Sequence, residues 1–378
     1  MQAFFVASLA WNLGLGMTWL AVPLYAQSQG LSNAQIGALF AAPVLAQAFL
    51  NLAGGAYTDR IGGRRIMLGA CWATVVAGVW FIFARGFWML LIGQALLILS
   101  RAAFWPATWA MATELPGDRG TQLGRLNAVT NFGQIVGTAL SGIALAAFGF
   151  QATFALLSLI GFASYLAGLR SPHGHPHPRA STAGVLAGYW PLLRRRVIFY
   201  SMMCAYLSAL PFSLSISFYP LLLAAFDYTE ESSGLLLALR AVGSISASLF
   251  VARFVRSGPQ TLWPVVCGVL VAAGVGLLPT WNNAAPIGFW LFLVGAGSAA
   301  MTLYFQITIS EASRPEERGS ALALGGLGWS VSHFSTPLVM GFVADRYGLV
   351  NGFYVIGAAA IATALVIAWA RRWAFRAS

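Results

Sequence analysis

Twelve uninterrupted apolar runs, each long enough to cross a bilayer as a helix, constrain this chain more than any other feature. They lie at approximately 3–26, 35–57, 66–84, 87–112, 123–147, 149–169, 197–223, 233–253, 260–280, 286–310, 319–344 and 350–370. A helix rises about 1.5 Å per residue, so about 20 apolar residues cross roughly 30 Å of hydrocarbon. In lipid every backbone amide must be paired within the protein, which leaves helices and closed barrels as the spanning structures. These runs are too long for barrel strands and do not alternate. The expected fold class is therefore an all-α integral membrane protein with twelve transmembrane helices.

Composition narrows the function. Of the 378 residues 59% are hydrophobic and only 8% charged, against about 25% charged in ordinary globular domains. That excludes a soluble enzyme, a disordered chain and a secreted scaffold. The net charge of +11 comes from arginine alone, because the chain has no lysine. The arginines are scattered between apolar runs, so they report topology rather than a nucleic-acid surface, and no nucleic-acid partner is expected. With the N-terminus placed in the cytoplasm, seventeen of the 21 arginines fall in cytoplasmic segments; Arg85 and Arg346 fall outside, and Arg101 and Arg240 fall within spans. This bias predicts a multi-pass protein of the plasma (inner) membrane, immersed in its lipid bilayer with both termini cytoplasmic. Cys71, Cys204 and Cys267 each lie inside an apolar run and offer no disulfide framework. Met1 leads straight into the first run without a basic region, so no cleavable signal is expected.

The longest polar stretch, 170–196, holds Pro172, Pro176, Pro178 and five arginines and reads as a cytoplasmic linker. Its His173, His175 and His177 alternate with glycine and proline, which denies them a helical ligand face. The division is then 1–169 as an N-terminal six-helix bundle, 170–196 as linker and 197–378 as a C-terminal six-helix bundle. An internal repeat supports it. A shift of 199 residues lays Pro116, Asp118, Arg119, Gly120 and Leu123 on Pro315, Glu317, Arg318, Gly319 and Leu322, and Gly142, Gly149 and Phe154 on Gly341, Gly348 and Phe353. A shift of 197 pairs Gly37 with Gly234 and Glu114 with Glu311. Many transporters are built from such repeats and work by rocking one against the other.

After the second run the chain reads Gly55-Ala-Tyr-Thr-Asp59-Arg60-Ile-Gly62-Gly63-Arg64-Arg65. This resembles the cytoplasmic signature of the major facilitator superfamily, although Tyr57 and Gly63 stand where leucine and arginine are usual. The resemblance implies two pseudo-symmetric six-helix bundles enclosing a cavity lined by the first, fourth, seventh and tenth helices. It also implies a cytoplasmic gate formed by Gly55, Asp59, Arg60 and Arg64 with a loop acid such as Glu114. Asp59 could accept bonds from a neighbouring helix N-terminus, where negative charge is favoured. The corresponding loop of the second half, 253–260, has no acid. Two further features resemble drug-exporting, proton-antiporting members: Arg101 in the fourth run, and Gly133-x-x-x-Gly137-x-x-x-x-Gly142 in the fifth, which ordinary helix packing explains equally well.

Ionisable groups inside a membrane are functional candidates. All ten acids lie in loops or near span ends, leaving Arg101, Arg240 and His333 as the mid-span ionisable residues. Gln94, Arg101 and Trp105 share one face of the fourth helix and could bind an anionic or aromatic solute; a helix-tying arginine is the alternative. Arg240 could contact substrate or snorkel towards Asp227, Glu230 or Glu231. His333 has the one unperturbed pKa near neutrality among them and is the proton-coupling candidate. Asn131, Gln134, Tyr304 and Gln306 complete the expected substrate-binding set. Pro211 and Pro220 suggest a bent seventh helix.

No phosphate-binding loop, nucleophile–base pair or ligand cluster is present, so neither enzymatic activity nor a cofactor or metal is expected. The reading is a monomeric secondary transporter of a small organic solute working by alternating access, most simply proton-coupled export of an amphipathic or aromatic compound. An organic-anion carrier using Arg101 and Arg240 is the alternative, and a non-transporting membrane sensor with the same fold is the alternative from another class.

Overall fold

A computed structural model describes residues 1–172, 192, 194–251, 254–258, 260–314 and 318–375, with side chains for all of these except 48–61, 119, 120, 251, 318–320 and 323. The described residues contain no strand. Their helices are α1 (Gln2–Ser28), α2 (Asn33–Ile61), α3 (Gly63–Phe83), α4 (Gly86–Glu114), α5 (Arg119–Gly168), α6 (Arg196–Ser215), α7 (Tyr219–Ala225), α8 (Glu230–Ser246), α9 (Trp263–Leu277), α10 (Ala284–Ala312), α11 (Arg318–Tyr347) and α12 (Leu349–Ala374). Among the described residues nine helices are long and apolar enough to cross a membrane, with Thr121–Gly168 counted as one. The expected linker, apart from its first and last residues, lies outside the described residues.

The helices follow the apolar runs with two informative departures. The fifth and sixth runs have no loop between them: α5 continues through both, and Gly149 alone leaves helical geometry at φ 74° and ψ −175°. That backbone conformation suits glycine because it has no Cβ. The seventh run divides into α6 and α7 at 216–218. Pro211 lies inside α6 and removes one of its backbone donors. Pro220 sits in the first turn of α7, where the missing N–H would have been unpaired anyway. The bend expected from the two prolines is thus a break.

The chain forms two compact units. Unit 1 comprises Met1–Leu31, Ala42–Ala180 and Leu223–Ala238; unit 2 comprises Ser32–Ala41, Ser181–Leu222 and Leu239–Ser378. The first turns of α2 and α8 therefore each pack with the unit that does not hold the rest of their sequence half.

Lipid tails are as apolar as leucine side chains, so helices associate through close packing and hydrogen bonds. In unit 1, α1 lies on α5 at backbone distance. A methyl at Gly137 would sit 2.0 Å from the Leu13 carbonyl oxygen, and one at Gly16 2.3 Å from that of Gln134. Hydroxyls tie the same seam: Thr138 donates to Gly16 (3.2 Å) and Ser141 to Met17 (2.9 Å). In unit 2, α8 meets α10 the same way. A methyl at Gly295 would lie 1.9 Å from the Arg240 carbonyl oxygen, and Ser244 donates to the Gly295 carbonyl at 3.0 Å.

The sequence repeat is visible in these contacts. In unit 2 a methyl at Gly341 would fall 2.3 Å from the Asn33 carbonyl at the start of α2, and one at Gly37 2.2 Å from that of Pro337. In unit 1 the equivalent residues do the same: Gly142 would meet Glu230 at the start of α8 at 2.3 Å, and Gly234 would meet Thr138 at 2.9 Å. Gly133 and Gly137 face α1 and Gly142 faces α8, so the glycine series of α5 acts in helix packing. Gly137→Val is expected to lower the thermal midpoint of the detergent-solubilised protein, by about 1–3 kcal/mol or more of overpacking. Gly69→Val, at a position with nothing within 4 Å of an added methyl, should have a much smaller effect; equal effects would remove the packing role.

Candidate functional site

Each unit gathers aromatic and polar side chains from its apolar helices. In unit 1 the centre is Trp11 of α1, fully buried and stacked flat on Phe104 of α4, with ring centroids 3.8 Å apart and an interplanar angle of 5°. Trp105 stands edge-on to Trp11 at 5.6 Å, and Trp109 lies 5.9 Å beyond it. The Trp11 indole N–H donates to Ser100 Oγ (3.0 Å), which donates to the Ala70 carbonyl of α3 (2.7 Å). Arg101 is one turn before Trp105, and its buried Nε has no hydrogen-bond partner among the described residues.

The amides behave differently. Gln134 donates to Asn12 Oδ1 at 3.1 Å, and Asn12 donates to the Ser8 carbonyl (2.8 Å) and Thr130 Oγ1 (3.4 Å). That network ties α1 to α5. Asn131 donates to the Asn127 carbonyl of its own helix at 2.9 Å. Gln94 is buried in α4.

In unit 2 the counterpart joins α6, α8 and α11. Trp329 and His333, one turn apart, stack with centroids 5.1 Å apart, and Phe212 lies 5.8 Å from the first and 5.3 Å from the second. Trp329 donates to Ser208 Oγ at 3.0 Å. His333 Nδ1 lies 3.0 Å from the Trp329 carbonyl. The Arg240 guanidinium sits over the Phe212 ring, Cζ 5.2 Å from its centroid. Arg240 is 6% exposed, and its Nε has no hydrogen-bond partner among the described residues. Tyr219 is close enough to interact with it electrostatically.

Several expectations change here. The snorkelling route for Arg240 is not taken: among the described residues it pairs with no carboxylate, and it lies over the Phe212 ring instead. Tyr304 and Gln306 do not share a site. Tyr304 is fully buried, edge-on to Tyr200 at 6.4 Å, whereas Gln306 is exposed, because residues two apart on a helix face different ways. The side chains of Gly55, Asp59 and Arg60 lie outside the described residues. Arg64 donates to the Leu169 carbonyl at the end of α5, and Glu114 is exposed at the end of α4.

Asp345, a span-end acid by sequence, holds a helix start. Asp345 Oδ1 accepts the Asn33 N–H at 2.7 Å and Oδ2 the Ala34 N–H at 2.9 Å, across 312 and 311 residues of sequence. A readable signal was present: Gly341-x-x-x-Asp345-Arg346-x-Gly348 repeats the spacing of Gly55-x-x-x-Asp59-Arg60-x-Gly62.

The family model of the Major Facilitator Superfamily matches residues 3–294 and 207–374. The chain is 24% identical to the multidrug resistance protein MdtG of Proteus mirabilis (strain HI4320), over 94% of this chain and 91% of that one. It is 20% identical to the quinolone resistance protein NorA of Staphylococcus aureus (strain MSSA476), over 94% and 92%. Among solved structures, a D323A mutant of the nucleoside transporter NupG superposes with a TM-score of 0.78 at 13% identity, covering 99% of each chain. A D-xylose–proton symporter gives 0.74 at 15% identity, over 99% of this chain and 96% of that one. Gln134→Leu, which removes one interhelical amide bond, is expected to destabilise the protein by about 0.6–1.7 kcal/mol, read as a fall in thermal midpoint. No fall would remove the structural role of this amide pair.

Proposed function

The chain belongs to the major facilitator superfamily, and from that premise we propose that it exports a small amphipathic or aromatic compound, coupled to proton entry through His333. It is a non-enzymatic transporter, multi-pass in the membrane, that takes a small-molecule substrate. The observation that carries the finer reading is the pair of buried aromatic clusters within apolar helices, each beside an arginine: Trp11, Phe104 and Trp105 near Arg101 in unit 1, and Phe212, Trp329 and His333 beside Arg240 in unit 2. Aromatic rings with a cation suit planar, partly polar solutes. The relatives named for multidrug and quinolone resistance support the outward direction.

In this reading the substrate meets Arg101, Trp105, Gln94, Asn131 and Gln134 in the first half of the sequence and Arg240 and the aromatic group in the second. The two sequence halves, 1–169 and 197–378, rock about the bound solute. Gly55, Asp59, Arg60 and Arg64, with Glu114, form the cytoplasmic gate, and both termini face the cytoplasm of the inner membrane. The protein acts as a monomer. His333 suits coupling because an imidazole changes charge near neutral pH and the apolar runs of the sequence hold no acid.

Purified protein in proteoliposomes with an imposed pH gradient tests this. Fluorescent aromatic solutes are expected to move against their gradient as protons move the other way. His333→Ala is expected to abolish the pH dependence of flux while solute binding persists. Unchanged pH dependence in that variant would overturn the coupling role, and the absence of flux for every solute tried would favour a sensor that kept the fold.

A further inference from the structure

A guanidinium taken out of water is costly unless an anion and hydrogen bonds compensate it. Arg240 is buried, its Nε is unbonded, and its described contacts are the Phe212 face and the neighbouring Tyr219. Tyr219 Oη is buried and has no hydrogen-bond partner among the described residues. The acids nearest in sequence do not serve Arg240; the Glu230 backbone packs on α5 in unit 1. A cation fork thus lies over the Phe212 ring, with Trp329 beside that ring and the Tyr219 phenol in its electrostatic neighbourhood, and among the described residues no carboxylate pairs with Arg240.

We propose that Arg240 is the anion-recognising residue of a subsite for a small aromatic acid. The guanidinium and Tyr219 Oη take its carboxylate, and its ring lies along Phe212 and Trp329. This rests on the transport reading and narrows its substrate class. The test uses 1-naphthoate and its uncharged counterpart 1-naphthamide as probes, with binding followed by calorimetry on the solubilised protein. Wild type is expected to prefer the acid by about tenfold or more, as for hydrogen bonds to a charged group. Arg240→Gln should erase the preference, and Arg240→Lys should keep part of it through charge without the fork. If Arg240→Gln fails to fold, Tyr219→Phe should still lower acid affinity and spare the amide. Equal binding of the two probes to wild type, or an undiminished preference in folded Arg240→Gln, overturns the subsite. Flux of neutral aromatic solutes without acid preference would sink the subsite and leave export standing, whereas no flux at all would sink export.

A second inference stands on the start of α2. The first N–H groups of a helix have no partner within it. Here Ser32 Oγ accepts from the Gln35 N–H (3.3 Å) and Gln35 Oε1 from the Ser32 N–H (3.0 Å), a reciprocal capping box. The two donors this box leaves, Asn33 and Ala34, are both taken by Asp345 of α11. Gly37 and Gly341 bring the two backbones together beside it. The equivalent start of α8 has its own cap, Thr229 Oγ1 accepting from the Ser232 N–H at 3.3 Å, and the residue matching Asp345 under the 199 shift is Ala146. The distant carboxylate thus occurs at one of two otherwise equivalent contacts.

We infer that Asp345 is a positioning residue for transport, a latch that fastens the first turn of α2 to α11 in one part of the cycle and lets it go in another. Asp345 lies one residue beyond its apolar run and is exposed, so water can replace the bonds when they open. Partial burial alone would raise its pKa, but the N–H donors of Ala34 and Asn33 and the Ser32 side chain outweigh that and hold the carboxyl below its ordinary value. A carboxyl held that low stays ionised through the physiological range, so movement rather than protonation releases it. Asp345→Ala is expected to speed hydrogen exchange of the Asn33 and Ala34 amides about tenfold or more, as for loss of hydrogen bonds to a charged group, and to change the maximum flux more than the half-saturating concentration. Asp345→Glu should restore part of both. Identical exchange in wild type and Asp345→Ala overturns the cap. Faster exchange with unchanged flux overturns the latch and leaves only a structural cap.

Discussion

The interaction on which this structure depends is the contact of one helix backbone with another where a side chain is missing. Hydrocarbon gives helices no hydrophobic reason to associate, so dispersion at close range and hydrogen bonds across the seam must supply it. Gly16 and Gly137 admit α1 and α5 to each other, and Gly243 and Gly295 do so for α8 and α10. At each seam a hydroxyl then reaches a carbonyl of the facing helix, as Ser141 and Ser244 do. These contacts fix where the larger side chains stand. Trp11 can lie flat on Phe104 and still reach Ser100 because α1 is held at a set depth against its neighbours.

The same constraint separates glue from function among the polar residues. Gln134 bonds Asn12 and Asn131 bonds its own helix, so these amides have structural partners already, and a solute would be met by the polar atoms those bonds leave. Arg240 differs. It is buried over the Phe212 ring with the Tyr219 phenol near it, and among the described residues no carboxylate pairs with it. A cation–π contact contributes about 2 kcal/mol or more when desolvated, which is small beside the several kcal/mol an uncompensated ion costs after relaxation. The difference is what a bound anion would offset.

Hydropathy made the spans legible, down to the two that α5 runs together, because lipid crossing is a property of local sequence. The repeat was legible for the same reason. The repeat even foretold contacts, since Gly142 and Gly341, matched by the 199 shift, each meet the first turn of a helix from the other half of the sequence. What sequence could not give was which amides pair, because Gln134 and Asn12 are 122 residues apart and several partners were in reach. Helical periodicity alone sets Tyr304 and Gln306, two residues apart on α10, on different faces. Arg240 stands out in the sequence as a mid-span cation, but the ring it lies over, Phe212, comes from α6, and no local pattern announces that.

Asp345 shows how a repeat informs by its departures. Both helix starts, at α2 and α8, approach a glycine-bearing helix with near-identical spacing, so packing alone needs no acid at either. Thr229 supplies the cap at α8 from the adjoining sequence. At α2 the capping box of Ser32 and Gln35 is complete, yet two amides remain for a carboxylate on α11. A local cap moves with its helix and holds nothing else. A cap borrowed from another helix couples the two, because it is satisfied only while they touch. The division of α2 between the units falls at Ala41 and Ala42, beside Pro43, where the helix lacks one of its own hydrogen bonds. The first turn of α2 is therefore joined to the rest of its helix across a residue that donates no backbone hydrogen bond, and to α11 by bonds that water can replace.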